Sequence, residues 1–306
     1  LRHEVEGWFE QDTLKDLLCA TGSETERIAA DWLGKAGKRW RPLLAAGVYR
    51  ALSPEPALET GTLRRLAVAV ECFHKASLIH DDIEDEDDTR YGEQTLHRQY
   101  GIAVALNIGD LLIGEGYRLI VESGLPPELA TAMIRTAAEG HRTLCLGQGE
   151  ELLLAYKSTD IQHPAPNVRS SALTVDKVIS IFRQKTAPAF EVALQLGAIA
   201  AGADPQTRDV LTAFSAAIGI AYQIQDDIDD QATDAAVPDG RGHATSLLDA
   251  LSREGIQPHS VILDRARQLR QHYADETIRC LAPLRNAPLK CLLFRIANLF
   301  VDPSKS

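Results

Sequence analysis

The sequence predicts an all-α fold, and three observations carry that prediction. Ala, Leu, Glu, Arg and Gln are plentiful along the chain. Aromatic residues make up only 6% of the 306 residues, and strand-like alternation is rare. Apolar residues instead recur at three- and four-residue steps. Residues 62–83 show this best: Leu63, Leu66, Ala67, Val70, Phe73, Ser77 and Leu78 line one face, with Arg64 and Arg65 between them. Residues 175–201 and 207–228 behave alike, interrupted only by Pro188. Breaks are expected at 53–56, 124–127, 157–167, 202–205 and 237–242, where Gly, Pro and polar residues gather. Residues 160–171 are polar and contain Pro, so a surface loop is expected there. There is no tandem repeat and no low-complexity linker. The expectation is one domain over residues 1–306, with long antiparallel helices around a central cavity.

Composition narrows the function classes. The chain carries a formal net charge of −11. Such a surface repels nucleic acid and anionic lipid, so neither is expected as a partner, and an anionic substrate has to be held by local cations. Cys19, Cys72, Cys145, Cys280 and Cys291 are odd in number and scattered, without zinc-site spacing. They read as reduced thiols of a cytoplasmic protein. No apolar run approaches the ~18 residues of a membrane span, and no signal-peptide pattern opens the chain.

Acidic residues concentrate in two places. Asp81-Asp82-Ile83-Glu84-Asp85 and Asp226-Asp227-Ile228-Asp229-Asp230 both have the form D-D-x-x-D, each near the end of a strongly apolar helix. Residues four apart on a helix stand one above the other, about 5.4 Å apart. Asp81 and Asp85 therefore share a face, as do Asp226 and Asp230. Carboxylates stacked this way repel unless a cation joins them. Mg²⁺ suits the task, because it binds through one or two carboxylates plus substrate phosphates. A solvated acidic helix end is the bland reading of one patch; two matching patches on helices this apolar argue for a metal-held diphosphate. A third cluster, Gly37-Lys38-Arg39-Trp40-Arg41-Pro42, packs three cations into a constrained turn entering a helix. Lys38 and Arg41 face one way, and both suit a phosphate.

These residues, with His74, Arg90, Gly92, Thr95-Leu96-His97, Gly109-Asp110, Gly147-Gln148, Lys185-Thr186 and Gln223, stand in an order that resembles the trans-isoprenyl diphosphate synthases, the polyprenyl synthetase family. The resemblance runs from about residue 37 to residue 245 and implies the isoprenoid-synthase type of helical fold, often homodimeric. It implies a prenyltransferase that condenses an allylic diphosphate with isopentenyl diphosphate and releases pyrophosphate, with Mg²⁺ as cofactor. Asp81, Asp85, Asp226 and Asp230 would hold the metal. Asp82 and Asp227 would assist them, and Lys185 completes the catalytic set. Arg90, Lys185, Thr186 and Gln223 would contact the allylic diphosphate. Lys38, Arg41 and His74 would hold isopentenyl diphosphate. His74 lies two turns before Asp81, about 20° off in angle, and so shares its face.

Phe73, Ala76 and Ser77 are the expected chain-length residues on the same helix. Ala76 and Ser77 are small, and Phe73 is the first bulky candidate for a floor, so the product is expected to be geranylgeranyl or geranylfarnesyl diphosphate. The chain departs from the family pattern in three ways. Tyr91 stands where a second arginine is usual, the stretch 231–241 has no lysine, and His243 replaces a lysine in Gly242-His243-Ala244-Thr245. Tyr91→Arg is therefore expected to tighten isopentenyl diphosphate binding. Two other readings share the motifs: a cyclase or a transferase to another acceptor, and a weakly active partner subunit.

Overall fold

The computed structural model describes residues 1–18, 21–35, 37–53, 60–159, 173–234 and 246–301. Its elements are helices α1 (Arg2–Gly7), α2 (Gln11–Leu18), α3 (Glu24–Gly34), α4 (Trp40–Leu52) and α5 (Thr60–Glu84), then strands β1 (Thr89–Arg90) and β2 (Glu93–Gln94). Helices α6 (Leu96–Tyr100), α7 (Ile102–Val121), α8 (Pro127–Thr159), α9 (Val175–Ala200) and α10 (Pro205–Asp234) follow. The last are α11 (Leu247–Arg253), α12 (His259–Arg279) and α13 (Ala287–Val301). The all-α expectation holds, with one small addition. β1 and β2 form an antiparallel hairpin pairing Thr89 with Gln94 and Arg90 with Glu93. The break expected from residue 157 begins later, because α8 continues through Thr159. The lysine-free stretch 231–241 begins as the end of α10, and its residues 235–241 lie outside the described residues, as does the expected loop at 160–171.

Two compact units can be distinguished: residues Leu1–Ala137 with Val192–Ala203, and residues Ala138–Glu191 with Asp204–Ser306. In the first, α5 packs along α7 and against α4. Leu66, Ala67, Val68, Ala69, Val70, Cys72, Ala76 and Ile79 of α5 are all buried. That is wider than one stripe, so α5 is a central helix wrapped by others. Small residues set the approach distances. A Cβ at Gly109 of α7 would sit 2.4 Å from His80 Nε2, and one at Gly116 would sit 2.5 Å from the Phe73 ring. Helix α3 starts with a capping box, in which Ser23 Oγ accepts from the Glu26 N–H and Glu26 accepts from the Ser23 N–H, both at 3.2 Å.

In the second unit α10 packs on α12, with α11 bridging them. Its core gathers Val178 and Phe182 of α9, Ile220 and Ile224 of α10, Leu247, Leu248 and Leu251 of α11, and Ile262 and Ala266 of α12. Among the described residues no helix is long and apolar enough to cross a membrane.

Candidate active site

The first acidic motif occupies the last turn of α5. The helix ends in a Schellman motif: the Glu86 N–H reaches Ile83 O at 3.4 Å and the Asp87 N–H reaches Asp82 O at 2.9 Å. Glu86 takes the left-handed conformation (φ 56°) that glycine usually fills there. Four carboxylates thus crowd the negative end of a helix dipole, where anions are disfavoured. The arrangement favours a cation. Asp81 is half-buried and Asp85 exposed. Asp82 turns the other way. It is 1% exposed and ion-paired with Arg90, which also reaches Asp87 at 3.2 Å. Burial raises the Asp82 pKa, and Arg90 opposes that rise. Arg90 therefore anchors the hairpin to the first motif in this structure.

Two turns earlier on α5, a positive cluster surrounds His74. Burial pushes the His74 imidazole well below its usual pKa, and the charges of Arg41, Lys75, Arg39 and Arg90 push it further. His74 is therefore neutral near pH 7, in a region of positive potential. The three cations of the 37–42 segment divide their work. Arg39 is left-handed (φ 48°), 7% exposed, paired with Glu71 at 2.7 Å and bonded to Lys35 O at 2.7 Å. It is a buried brace for the turn. Lys38 is exposed, and half-buried Arg41 lies 3.9 Å over the Trp40 ring. Lys38 lies outside α4, before the left-handed Arg39, so the helical spacing expected to put Lys38 and Arg41 on one face does not apply here.

The hairpin completes this side. Its two-residue loop, Tyr91 (φ 56°) and Gly92 (φ 78°), has both φ positive, as a tight hairpin turn requires. Tyr91 carries the strain of a bulky side chain in that region. Its ring packs toward Trp32, with centroids 6.1 Å apart, and covers the ammonium of Lys75 at 4.1 Å. Lys75 is fully buried. Sequence reasoning passed over it, although a lysine inside the apolar run between Val70 and Leu78 was the signal. Of the chain-length residues, Phe73 meets Tyr117 of α7 edge-on with ring centroids at 5.0 Å. Ala76 is 1% exposed, and Ser77 donates to His74 O at 2.8 Å.

In the second unit glycines bring the site helices together. A Cβ at Gly147 of α8 would lie 2.7 Å from Lys185 N, and one at Gly219 of α10 would lie 2.9 Å from Ala187 Cα. Helix α9 is thereby held close to both neighbours at Lys185 and Thr186. Thr186 Oγ1 donates to Gln223 Oε1 at 2.8 Å, joining two expected site residues. Lys185 Nζ pairs with Glu151 at 2.6 Å, a carboxylate partner that sequence reasoning held as the alternative to a diphosphate. Asp226 is half-buried. Asp227 is 8% exposed and accepts from the Leu247 N–H at 2.8 Å and Ser246 Oγ at 3.3 Å, so it caps α11. The Asp230 side chain, Arg241, His243 and Thr245 lie outside the described residues.

The middle aspartate of each motif is thus tied into the protein. Among the described residues no three His, Cys, Asp or Glu side chains gather as a metal site. Mg²⁺ does not need three: its usual shell is one or two carboxylates completed by phosphate oxygens and water. Asp81 and Asp85, one turn apart at a helix C-terminus, fit that donor set.

A family model for polyprenyl synthetase matches residues 23–244. Farnesyl diphosphate synthase of Geobacillus stearothermophilus is 34% identical over 211 residues, 67% of this chain and 66% of its own length. Geranylfarnesyl diphosphate synthase of Natronomonas pharaonis is 31% identical over 209 residues, 64% of this chain and 57% of its own. The matched stretch therefore spans less than two thirds of either curated relative. Among solved structures, geranylgeranyl pyrophosphate synthase from Corynebacterium glutamicum, complexed with isoprenyl diphosphate and magnesium, superposes with a TM-score of 0.76. It is 23% identical, and the match covers 98% of this chain and 97% of that one, so the likeness is one of fold.

Proposed function

We propose that this chain, which belongs to the polyprenyl synthetase family, is a Mg²⁺-dependent trans-prenyltransferase that joins an allylic diphosphate to isopentenyl diphosphate. One observation carries the choice of reaction. Helix α5 presents a carboxylate pair at its end, Asp81 and Asp85, and seven residues earlier, about 10 Å along the axis, its His74 meets a cationic cluster that also draws on Arg39, Arg41 of α4 and Arg90 of β1. A carboxylate pair takes a diphosphate through metal, whereas a cationic cluster takes one directly. Two sites of opposite sign along one helix, one of them built largely by its neighbours, suit two anionic substrates. A cyclase needs only the first.

In this reading Asp81, Asp85, Asp226 and Asp230 hold Mg²⁺ on the allylic diphosphate. The metal, when bound, neutralises charge on the departing pyrophosphate. Lys185 exchanges Glu151 for a phosphate oxygen, and Thr186 and Gln223 fix each other beside it. Lys38, Arg41 and neutral His74 hold the second diphosphate, with His74 donating one ring N–H. Asp82 and Arg90 keep the hairpin in register with the first motif. The prenyl tail runs along α5 toward Phe73 and Tyr117, which supports geranylgeranyl or geranylfarnesyl diphosphate as product. We also propose a cytoplasmic homodimer.

Incubating the purified protein with Mg²⁺, isopentenyl diphosphate and each allylic diphosphate in turn, with products identified by mass, tests the reading. The expected result is a longer prenyl diphosphate and free pyrophosphate, both lost in excess chelator. A hydrocarbon or alcohol formed from the allylic substrate alone, with no elongation, would overturn it in favour of a cyclase.

A further inference from the structure

Lys75 is the one buried lysine of α5 that the proposed reaction does not use. It is 0% exposed, and an ammonium carries three donors. Its one hydrogen bond among the described residues is to Lys35 O at 3.2 Å. Glu71, one turn earlier, attracts it but is bonded to Arg39 at 2.7 Å. Two aromatic faces cover the rest: Tyr91 at 4.1 Å and Trp32 at 5.7 Å from ring centroid to Nζ. A buried charge without its own carboxylate is costly and points to an anion supplied from outside.

Tyr91 sits between that charge and solvent. Its φ of 56° is one that L side chains rarely adopt, yet the ring is clamped by Lys75 below and Trp32 beside it. Strain of this kind persists where surrounding contacts over-determine it, and such places are often functional. Tyr91 as a whole remains 41% exposed, and its hydroxyl lies 3.9 Å from where a side chain would begin at Gly37, next to Lys38. Burial raises the phenol pKa above its usual value, so the hydroxyl keeps its proton and stays a donor.

We propose that Lys75 is a positioning residue for the second diphosphate: its ammonium fixes the Tyr91 ring as a hydrogen-bond donor beside Lys38 and Arg41, and supplies through that ring the positive charge that residue 91 lacks. The ligand is the diphosphate of isopentenyl diphosphate, so the inference rests on the reading above. It also reverses the expectation for Tyr91→Arg. A guanidinium at 91 would stand over a buried ammonium, and like charges at that distance repel.

Binding of isopentenyl diphosphate alone, followed by titration calorimetry, separates this inference from turnover. Lys75→Met keeps the packing and removes the charge, whereas Tyr91→Phe keeps the ring and removes the donor. Each is expected to weaken isopentenyl diphosphate binding roughly three- to tenfold, the net range of an ordinary hydrogen bond. The KM for the allylic substrate should stay near wild type, which a merely structural role would not produce. Tyr91→Arg alone should bind no better than wild type, and Lys75→Met with Tyr91→Arg should bind better than either single variant. Wild-type affinity in a folded Lys75→Met protein overturns the proposal. So does a Tyr91→Arg gain that is the same with and without Lys75. If Lys75→Met does not fold, unchanged affinity in Tyr91→Phe overturns it instead. A wild type that binds isopentenyl diphosphate, with these variant effects, but makes no longer product would retire the proposed reaction and leave the role of Lys75 standing. Failure of wild type to bind it retires both.

Discussion

Replacing Gly147 by alanine should damage catalysis more than folding. The new Cβ would start 2.7 Å from both Gln184 Cβ and Lys185 N, and 2.9 Å from Gln184 C. Two of these three atoms are backbone, so no side-chain rotation relieves the clash. Helix α9 has to move away from α8 until the contact opens to the 3.4 Å at which ordinary van der Waals distances begin. Overpacking of this kind costs about 1–3 kcal/mol. Removing a glycine from a helix interior returns about 1 kcal/mol. The net loss of stability is then about 0–2 kcal/mol, small enough for the protein to fold. The displacement, however, falls at Lys185 and Thr186, and a shift approaching 1 Å can lower a rate by roughly a hundredfold. Steady-state kinetics should show kcat/KM for the allylic substrate down about ten- to a hundredfold, with only a modest change in Tm. Gly149→Ala is the control. Nothing lies within 4 Å of its Cβ, so it should leave kinetics unchanged and raise Tm slightly. Wild-type kcat/KM in Gly147→Ala would refute the argument that the α8–α9 approach sets the site.

Asp227→Ala removes the acceptor of the buried Leu247 N–H and should cost about 1–3 kcal/mol, seen as a lowered denaturation midpoint; an unchanged midpoint would mean that Asp227 does not cap α11. Asp81→Ala and Asp85→Ala should abolish most turnover while leaving Tm near wild type, since both are more exposed than Asp82, whose ion pair with Arg90 is buried, and a Tm loss matching that of Asp82→Ala would contradict this division. Lys75 gives a pH signature: its folded pKa is lowered from 10.5 to about 8 by burial and by Arg39, Lys35 and Arg90, against the pull of Glu71, with His74 and Tyr91 also facing it. The folded state then binds fewer protons than the unfolded state between pH 8 and 10.5, so this group makes stability rise with pH over that window. The stability of wild type relative to Lys75→Met should therefore climb across the window in denaturant titrations, and a flat difference would rule out the depressed lysine.

The long helices were legible because an apolar stripe repeated over twenty or more residues leaves little choice of period. Residues 62–83 became α5 at Thr60–Glu84, and 175–201 became α9 at Val175–Ala200. The hairpin was not legible. Two-residue strands carry no period, and its turn places Tyr91 where asparagine or glycine would have announced it. Residue types and spacing named Thr186 and Gln223, and the structure joins them by a hydrogen bond. They could not name Glu151 as the partner of Lys185, because that pairing depends on how closely Gly147 lets α8 approach α9.

The acidic motifs show where helix geometry alone stops. At 100° per residue, Asp81 and Asp85 lie about 40° apart and Asp82 about 100° from Asp81, so the sequence already separates the outer carboxylates from the middle one. What the middle one meets is decided elsewhere in the chain. Asp82 is held by Arg90 of the hairpin, and Asp227 by Ser246 and the Leu247 N–H at the start of α11. Each motif thus uses one carboxylate to lock a following segment to the helix that carries its proposed metal ligands. A carboxylate held by an arginine or by a helix N-terminus has its charge already compensated, so it adds little repulsion to the outer pair. In the first motif that leaves Asp81 and Asp85, one turn apart at the negative end of α5, as the pair a divalent cation would join.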